Sequence, residues 1–226
     1  MSIWPATADE LIATQQALAA AARPPPWHPP TDPIVAGCFA CLLRGVSGAG
    51  APGDPVWAGA AEYRGLRCIG RASARGTASG RYLPGLLALR VGPSLEAAVR
   101  ALPEAADVLI VDATGYDHPR RAGLAVHLGA VLGMPTVGVT HRTLLAAGGW
   151  PSDERSAVSP LLLDGDIVGY WLRTRAGRRP VAIHAGWRTD AATAVRVVLG
   201  VSRHRTPTPL REARRMARVA RAHAKC

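Results

Sequence analysis

The side chains best suited to chemistry follow one apolar run in the middle of the chain. Asp112 closes that run, which is typical of a strand buried on both faces of a sheet. A carboxylate at a strand end can hold a divalent cation, because hard cations take oxygen ligands. His118, Arg120 and Arg121 come next, and the fork of an arginine side chain suits phosphate. We expect these groups at one functional edge, with helix-start packing and surface charge as the alternative for the three basic residues.

Two cysteines, Cys38 and Cys41, form a Cys-x-x-Cys pair on an earlier apolar segment. Such pairs hold zinc or carry redox chemistry, but no second pair with ligand spacing follows. On a strand, residues i and i+3 also point to opposite faces. We therefore predict two small packed side chains. With the isolated Cys68 and Cys226, the cysteines are typical of reduced thiols in the cytoplasm.

The segments around these residues predict a mixed α/β arrangement. Pro33 to Leu43, Val56 to Tyr63 and Leu66 to Ala72 are short and bounded by Gly or Pro, as antiparallel strands are. Arg121 to Gly133 has apolar residues at helical spacing, and a second apolar run, Met134 to Val139, follows it. Together with the preceding buried run, these segments form a strand, helix, strand unit of parallel type.

The remaining segments add strands at Gly169 to Thr174 and Val181 to His184, and several helices. The predicted helices are Ala8 to Ala22, a helix through Leu95 to Leu102, Ala191 to Leu199, and Leu210 to His223. We interpret the chain as an α/β protein with one mixed sheet flanked by helices. An N-terminal helix and proline-rich linker occupy 1–32, the main domain 33–209, and a basic C-terminal helix 210–226.

The net charge of this 226-residue chain is +11, which favours a polyanionic partner such as nucleic acid. The alternative explanation for the charge is the codon bias of a GC-rich genome, which favours arginine. The basic C-terminal helix fits either a position along phosphates or ordinary surface docking. The chain has no secretory signal and no apolar run of about 20 residues, the length that crosses a bilayer. We therefore expect a cytoplasmic protein that does not bind membranes.

Three separated blocks make the chain similar to the endonuclease V family. Residues 82–87 resemble the family's wedge motif, and 111–129, continued by 135–139, is similar to its longest signature. Residues 185–188, before a helix, resemble a third block. The blocks occur in family order, and the resemblance spans roughly 34–211.

The resemblance implies a ribonuclease-H-like fold, a divalent metal, usually Mg²⁺, and cleavage of a phosphodiester near a deaminated purine, chiefly inosine. Some relatives act on RNA. Asp112 matches a family carboxylate, and so is implied as a catalytic residue and metal ligand. Tyr82 matches the wedge, while Gly85 and Leu87 match backbone that lines the base pocket. A tyrosine packed at a strand-to-helix turn is the alternative for Tyr82.

Four positions depart from the family pattern. Phe39 replaces an aspartate, Val91 a glutamate and Trp187 a late histidine, while His141 replaces a lysine. We expect all four in one pocket with Asp112, where phenylalanine and valine offer Mg²⁺ no oxygen. The resemblance thus implies that the metal site is weak or vacant.

Two other acids, Asp117 and Asp190, are candidates to rebuild the metal site. The alternative is a turn-stabilising aspartate and a helix N-cap, respectively. Ala113 stands where the family has a glycine, and its methyl group would crowd a pocket in which backbone meets a base.

Our first hypothesis is a family member that binds deaminated-base DNA or RNA through Tyr82, Gly85, Arg120 and neighbouring groups without cutting it. It needs no cofactor. The second hypothesis is an active Mg²⁺-dependent nuclease with a relocated carboxylate, and the third is a fold reused to bind a protein partner. Steep weakening of binding with salt distinguishes nucleic-acid binding from the third hypothesis.

Overall fold

The computed structural model describes residues 4–21, 24–45 and 48–224, which form an eight-stranded sheet with helices on both faces. The strands are β1 Ile34–Cys41, β2 Pro55–Arg64, β3 Arg67–Thr77, β4 Val108–Val111, β5 Thr136–Thr140, β6 Val158–Leu163, β7 Asp166–Leu172 and β8 Val181–Ala185. The helices are α1 Ala8–Ala20, α2 Ala88–Arg100, α3 Leu124–Leu132, α4 Ala191–Gly200 and α5 Thr208–His223. The predicted mixed sheet flanked by helices is confirmed.

The order of strands across the sheet is β3-β2-β1-β4-β5-β8-β7-β6. β1, β2 and β3 form the predicted antiparallel meander, whereas β1, β4 and β5 are parallel. The carboxyl ends of these three parallel strands therefore meet at one edge of the sheet, called here the upper edge. β8 is antiparallel to β5, so β8 ends at the opposite, lower edge.

Two apolar layers cover the sheet because successive strand residues point to opposite faces. On one face Leu109 of β4 packs in a cluster with Leu95 of α2 and Leu128 of α3. On the other face the next residue, Ile110, packs in a cluster with Leu210 of α5. Each buried aliphatic side chain of this kind contributes roughly 1.5–3 kcal/mol to folding. The layers hold β4 rigidly between two sets of helices.

Two glycines allow α5 to lie directly on the strands of the meander. A Cβ added at Gly37 would lie 2.6 Å from the backbone nitrogen of Leu210. One added at Gly59 would lie 2.6 Å from the backbone nitrogen of Ala217. Both distances are far below van der Waals contact, so only glycine fits. This close approach brings the next residues of α5 towards the upper edge.

Some boundaries differ from those predicted from the sequence. α1 ends at Ala20, and Ala22 lies outside the described residues, as does Cys226. α2 begins at Ala88 and contains Pro93, whose missing N–H would have bonded to the Leu89 carbonyl. That carbonyl accepts a hydrogen bond from the Ser79 N–H (2.8 Å) instead. A proline inside a helical pattern thus concealed the first turns of α2.

The helices at the two ends of the described chain are both anchored in the apolar core. Leu11 of α1 and Leu210 of α5 are fully buried. α5 begins at Thr208, close to the predicted start of the basic helix, and the three-part division of the chain stays a prediction. No helix within the described ranges combines the length and apolar character needed to cross a membrane.

Candidate functional site

Asp112 follows β4 at the upper edge and is held by an arginine from the far end of the chain. Nη2 of Arg214, on α5, donates a hydrogen bond to Oδ1 of Asp112 at 3.0 Å. Both side chains are mostly buried, with exposed fractions of 19% and 22%. A guanidinium cation therefore neutralises the carboxylate that the sequence predicted as a metal ligand.

Phe39 lies beside this ion pair, as its strand register requires. Cys38 of β1 is level with Val111 of β4, so the next residues, Phe39 and Asp112, are neighbours at the upper edge. The Arg214 guanidinium carbon lies 5.4 Å from the centre of the Phe39 ring, in a cation–π contact. The aromatic ring that replaces the expected aspartate thus contacts the same cation as Asp112.

His141 completes this group of side chains. It follows β5, next to β4, and its Nε2 lies 3.5 Å from Nη1 of Arg214. Burial and the positive charges of Arg205 and Arg214 lower the pKa of His141, against the opposing effect of Asp112. A neutral imidazole can accept a hydrogen bond from the arginine, so the ring needs no further charge partner.

A cavity of about 180 Å³ opens beside Asp112 and contains most of the predicted base-binding residues. Tyr82, Gly85 and Leu87 line it, together with His118 and Ala113. The Tyr82 ring is exposed, at 49%, rather than packed at the turn. The structure therefore brings Tyr82, Gly85, Leu87 and Asp112 together at one cavity.

The Gly85 carbonyl organises the side of this cavity. It accepts hydrogen bonds from Nε2 of Gln15 (2.9 Å) and from Nε2 of His118 (2.9 Å). Nη2 of Arg120 is 3.4 Å from the same oxygen, and its Nε donates to Gln15. Burial lowers the pKa of His118, although the bond to Gly85 opposes this effect. His118 and Arg120 therefore hold in place the loop that carries Tyr82 and Gly85.

Two predicted site residues lie elsewhere. Trp187 follows β8 at the lower edge, where its backbone N–H donates to the Thr136 hydroxyl (2.8 Å) at the start of β5. Its antiparallel strand carries it away from Asp112, so the expectation of one shared pocket does not hold for Trp187. Arg121 donates to the Leu163 carbonyl and to Asp164, both at 2.9 Å, and lines a different cavity.

Val91 is buried in the apolar cluster that also contains Val111 and Ala113. It lies on α2 one turn after Leu87, which lines the cavity beside Asp112. A carboxylate at this position would have to enter that apolar cluster. Val91 therefore contributes packing and no ligand atom.

Neither acid proposed to rebuild the metal site is available for one. Asp117 is fully buried and accepts backbone hydrogen bonds from Leu144, Leu145 and Ala146 at 2.7–2.8 Å. Asp190 caps α4 at the lower edge by accepting from the N–H and hydroxyl of Thr193. Asp190 has the cap role that the sequence offered as the alternative, whereas Asp117 binds a distant segment rather than its own turn.

Cys38 and Cys41 also lack the geometry of a metal or redox pair. Cys38 is buried in the cluster under α2, whereas the Cys41 sulfur lies 3.6 Å from the Ala217 carbonyl of α5, on the other face. Burial raises the pKa of the Cys38 thiol, as does the charge of Asp112. Both thiols are free.

The described residues do not fit a divalent metal at Asp112. Nowhere in these ranges do three or more histidine, cysteine, aspartate or glutamate side chains converge as metal ligands would. Mg²⁺ needs near-octahedral oxygen coordination, whereas Phe39 and Val91 carry no oxygen and Arg214 places a positive charge against Asp112. The site is built around an internal cation.

Sequence reasoning missed Arg214 and Gln15, the two residues that tie the site together. The hydrogen bond between Arg214 and Asp112 joins residues 102 positions apart, and no local pattern indicates such a contact. Gln15 looked like one more polar position of a surface helix. Its burial, at 2% exposure, is the result of tertiary packing alone.

Comparisons with known proteins identify the relatives of this chain. The family model for endonuclease V matches residues 54–215. A relative called endonuclease V from Nocardia farcinica is 38% identical over 222 residues, which cover 96% of this chain and 93% of the relative.

Solved structures share the fold. The crystal structure of endonuclease V from Streptomyces avermitilis has a TM-score of 0.88 at 34% identity, covering 99% of this chain and 97% of that one. Endonuclease V from Ciona intestinalis, solved with a 24mer DNA containing an inosine followed by a ribo-adenosine, has a TM-score of 0.79 at 16% identity. That alignment covers 96% of this chain and 98% of the Ciona chain. The predicted ribonuclease-H-like fold is thereby confirmed, and this chain belongs to the endonuclease V family.

Proposed function

We propose that this family member binds nucleic acid carrying a deaminated base, DNA or RNA, and does not cut the backbone. One observation carries the proposal: the Arg214 guanidinium occupies the position beside Asp112 and Phe39 where a catalytic cation would be needed. Arg214 is a side chain of the protein and is enclosed by the fold. A metal ion at Asp112 would therefore have to break a buried ion pair.

The energetics of that displacement oppose metal binding. A divalent ion beside a guanidinium would meet direct charge repulsion, and removing Arg214 from Asp112 would leave a partly buried charge unpaired, which typically costs about 3–5 kcal/mol. Asp112 alone could not repay that cost, because one carboxylate supplies a small part of the coordination that Mg²⁺ requires. A bound Mg²⁺ would supply charge neutralisation and a hydroxide source for phosphodiester hydrolysis, and the residues around Asp112 are not arranged to hold it.

Nucleic-acid binding is supported by the parts of the site that remain. Tyr82 presents an exposed ring at the mouth of a cavity, where an aromatic face can stack on a base. Gly85 and Leu87 line that cavity with backbone. The positive net charge and the inosine-containing DNA in the Ciona structure support the same conclusion.

A combined nicking and binding assay tests the proposal. Inosine-containing and undamaged DNA and RNA are incubated with Mg²⁺ or Mn²⁺, beside the Asp112→Ala variant purified in parallel. We expect salt-sensitive binding and no cleavage by either protein. Metal-dependent cleavage that disappears in Asp112→Ala would instead establish an active nuclease.

The same assay separates the remaining hypothesis from this one. If the wild-type protein neither cuts nor binds any of these substrates, the fold serves another purpose, and a protein partner becomes the hypothesis to pursue.

We also propose a reducing, cytoplasmic location, which the free thiols of Cys38, Cys41 and Cys68 favour.

A further inference from the structure

α5 carries a second, unassigned feature on its outer side, a groove of about 580 Å³. Arg211, Arg214, Arg215 and Arg218 line it, together with the hydroxyl-bearing residues Thr206 and Thr208 and other side chains. Four guanidinium groups on two turns of one helix repel one another unless counter-charges are near. The distribution of those counter-charges shows which arginines are free to bind a ligand.

Only some of these arginines are neutralised by the protein itself. Glu212 accepts hydrogen bonds from Arg215 (2.7 and 3.0 Å) and from Arg71 of β3 (2.5 Å). Those bonds from Arg215 and Arg71 hold the pKa of Glu212 down at about 2, so it is fully charged. Arg214 is paired with Asp112. Arg211 and Arg218 are exposed and have no ion pair or hydrogen bond within the described residues.

The two unpaired arginines lie in line with Arg214 along the helix. Arg211, Arg214 and Arg218 are spaced i, i+3 and i+7, which places them on one side of α5. At about 1.5 Å of rise per residue, the line is roughly 10 Å long. Nη1 of Arg214 has only the long, 3.5 Å contact with His141, so its hydrogens can still reach an acceptor.

The groove and the cavity that contains Tyr82 adjoin at one ion pair. Asp112 lines the cavity beside Tyr82, and Arg214, which binds Asp112, lines the groove. The ion pair is therefore the boundary between the two spaces. A strand whose base entered the cavity would leave its neighbouring phosphates next to Arg214 and its row.

We propose that the sugar–phosphate backbone flanking the bound nucleotide follows this row, with phosphate oxygens on Arg211, Arg214 and Arg218. The inference rests on the proposed nucleic-acid binding and adds the path of the strand. Contacts of this kind read no sequence, because phosphates are identical along a strand. They set the orientation of the strand and most of the salt dependence of its affinity.

The test is a salt titration of binding without divalent cations. A fluorescein-labelled single strand with one inosine is titrated with wild type and with the Arg211→Gln/Arg218→Gln double variant, from low to moderate KCl. We expect the double variant to bind roughly tenfold more weakly at low salt, with a log–log salt slope lower by about 0.7 for each phosphate that the variant no longer neutralises. Both side chains are exposed, so folding is unaffected, which circular dichroism checks.

The matched control removes the same formal charge from the lower edge. Arg64 and Arg100 are exposed, at 51% and 53%, and pair with Asp32 and Glu96. The Arg64→Gln/Arg100→Gln variant is expected to keep the wild-type slope. A rescue variant, Arg211→Lys/Arg218→Lys, is expected to restore most of the slope, because lysine keeps the positive charge that neutralises a phosphate.

The outcomes separate this inference from the proposed function. Wild-type binding with the same slope in the Arg211→Gln/Arg218→Gln variant would overturn the strand path and leave the proposed function standing. An equal decrease of slope in the control would also overturn the path, because charge alone would then explain the effect. No wild-type binding at any salt concentration would overturn the proposed function, and the strand path with it.

Discussion

Asp112 and Asp117 lie on the same loop, but their surroundings give these two carboxylates opposite roles. Asp112 lines the cavity and accepts a hydrogen bond from a side chain, the guanidinium of Arg214. Asp117 is fully buried and meets backbone N–H groups of 144–146, which cannot move away. The second carboxylate therefore belongs to the framework, where it closes the segment after β5 against the loop.

Replacing Asp117 should cost more stability than replacing any helix cap. Asp117→Ala leaves three N–H groups, one buried and two partly buried, without an acceptor, and each unsatisfied buried group costs about 1–3 kcal/mol. We expect urea unfolding to show a decrease in stability of roughly 3–5 kcal/mol. The comparison variant is Asp190→Ala, which removes only the cap of α4 and should cost about 1 kcal/mol. Equal decreases in the two variants would contradict this ranking.

Only residue roles that have a local sequence signature could be predicted. Asp112 was predictable because a strand-end acid has a local signature. Asp117 was expected to stabilise a turn, but its partners at 144–146 lie far along the chain. The role of Asp190 was foreseen as an alternative, since cap chemistry is local. Arg214 was not, because its partner is far away in the chain and is reached only through the packing of α5.

At the scale of elements, α5 depends on the flat surface formed by glycines of the meander. Helices normally stand off a sheet by the length of their side chains, but Gly37 and Gly59 let this helix approach to backbone contact. The position of Arg214, and with it the pairing of Asp112, follows from that approach.

A single methyl group should therefore disturb the site from a distance. In Gly59→Ala the added Cβ would meet the backbone of α5 within 2.6 Å, so the helix must shift outwards. We expect a decrease in stability of roughly 2–3 kcal/mol in urea unfolding and faster proteolytic cleavage at the arginines of α5. Gly149→Ala is the control, since a Cβ there meets nothing within 4 Å. Wild-type stability in Gly59→Ala would refute the account of α5 packing.

The strands also differ in how clearly the sequence predicts them. The buried strands β4 and β5 and the meander have clear patterns, and all were predicted. β6 was missed because it contains Pro160, lacks alternation and lies at the sheet edge, where proline is tolerated. Trp187 was assigned to the pocket from its place in a motif, which carries no information about strand direction.

At the scale of the whole molecule, two histidines are enclosed by the fold. The rings of His127 and His184 are almost completely buried. Burial lowers the pKa of each to about 4, from an ordinary value of 6.5. The unfolded chain therefore binds protons that the folded chain excludes throughout that interval.

The folded protein should lose stability in mild acid. Linkage requires the free energy of unfolding to be at its full value above about pH 6.5 and to fall as pH decreases towards about 4. Each histidine contributes up to about 1.4 kcal/mol per pH unit. In His127→Phe, the free energy of unfolding should depend less steeply on pH, because one proton fewer is taken up on unfolding. Urea unfolding at several pH values measures this slope.

An exposed ring provides the comparison for this pH effect. His204 lies at the surface, in solvent whether the chain is folded or not. His204→Phe should therefore leave the dependence on pH unchanged. A slope that is the same in His127→Phe as in wild type would show that this ring does not contribute.

A cation supplied by the chain itself also changes how the site responds to its surroundings. A metal ion is held only as long as its free concentration exceeds its dissociation constant, so its occupancy varies with supply. The guanidinium of Arg214 is delivered by the packing of α5, at a local concentration fixed by the fold. The charge beside Asp112 is therefore constant in dilute solution, in chelators and through any fluctuation of cellular Mg²⁺.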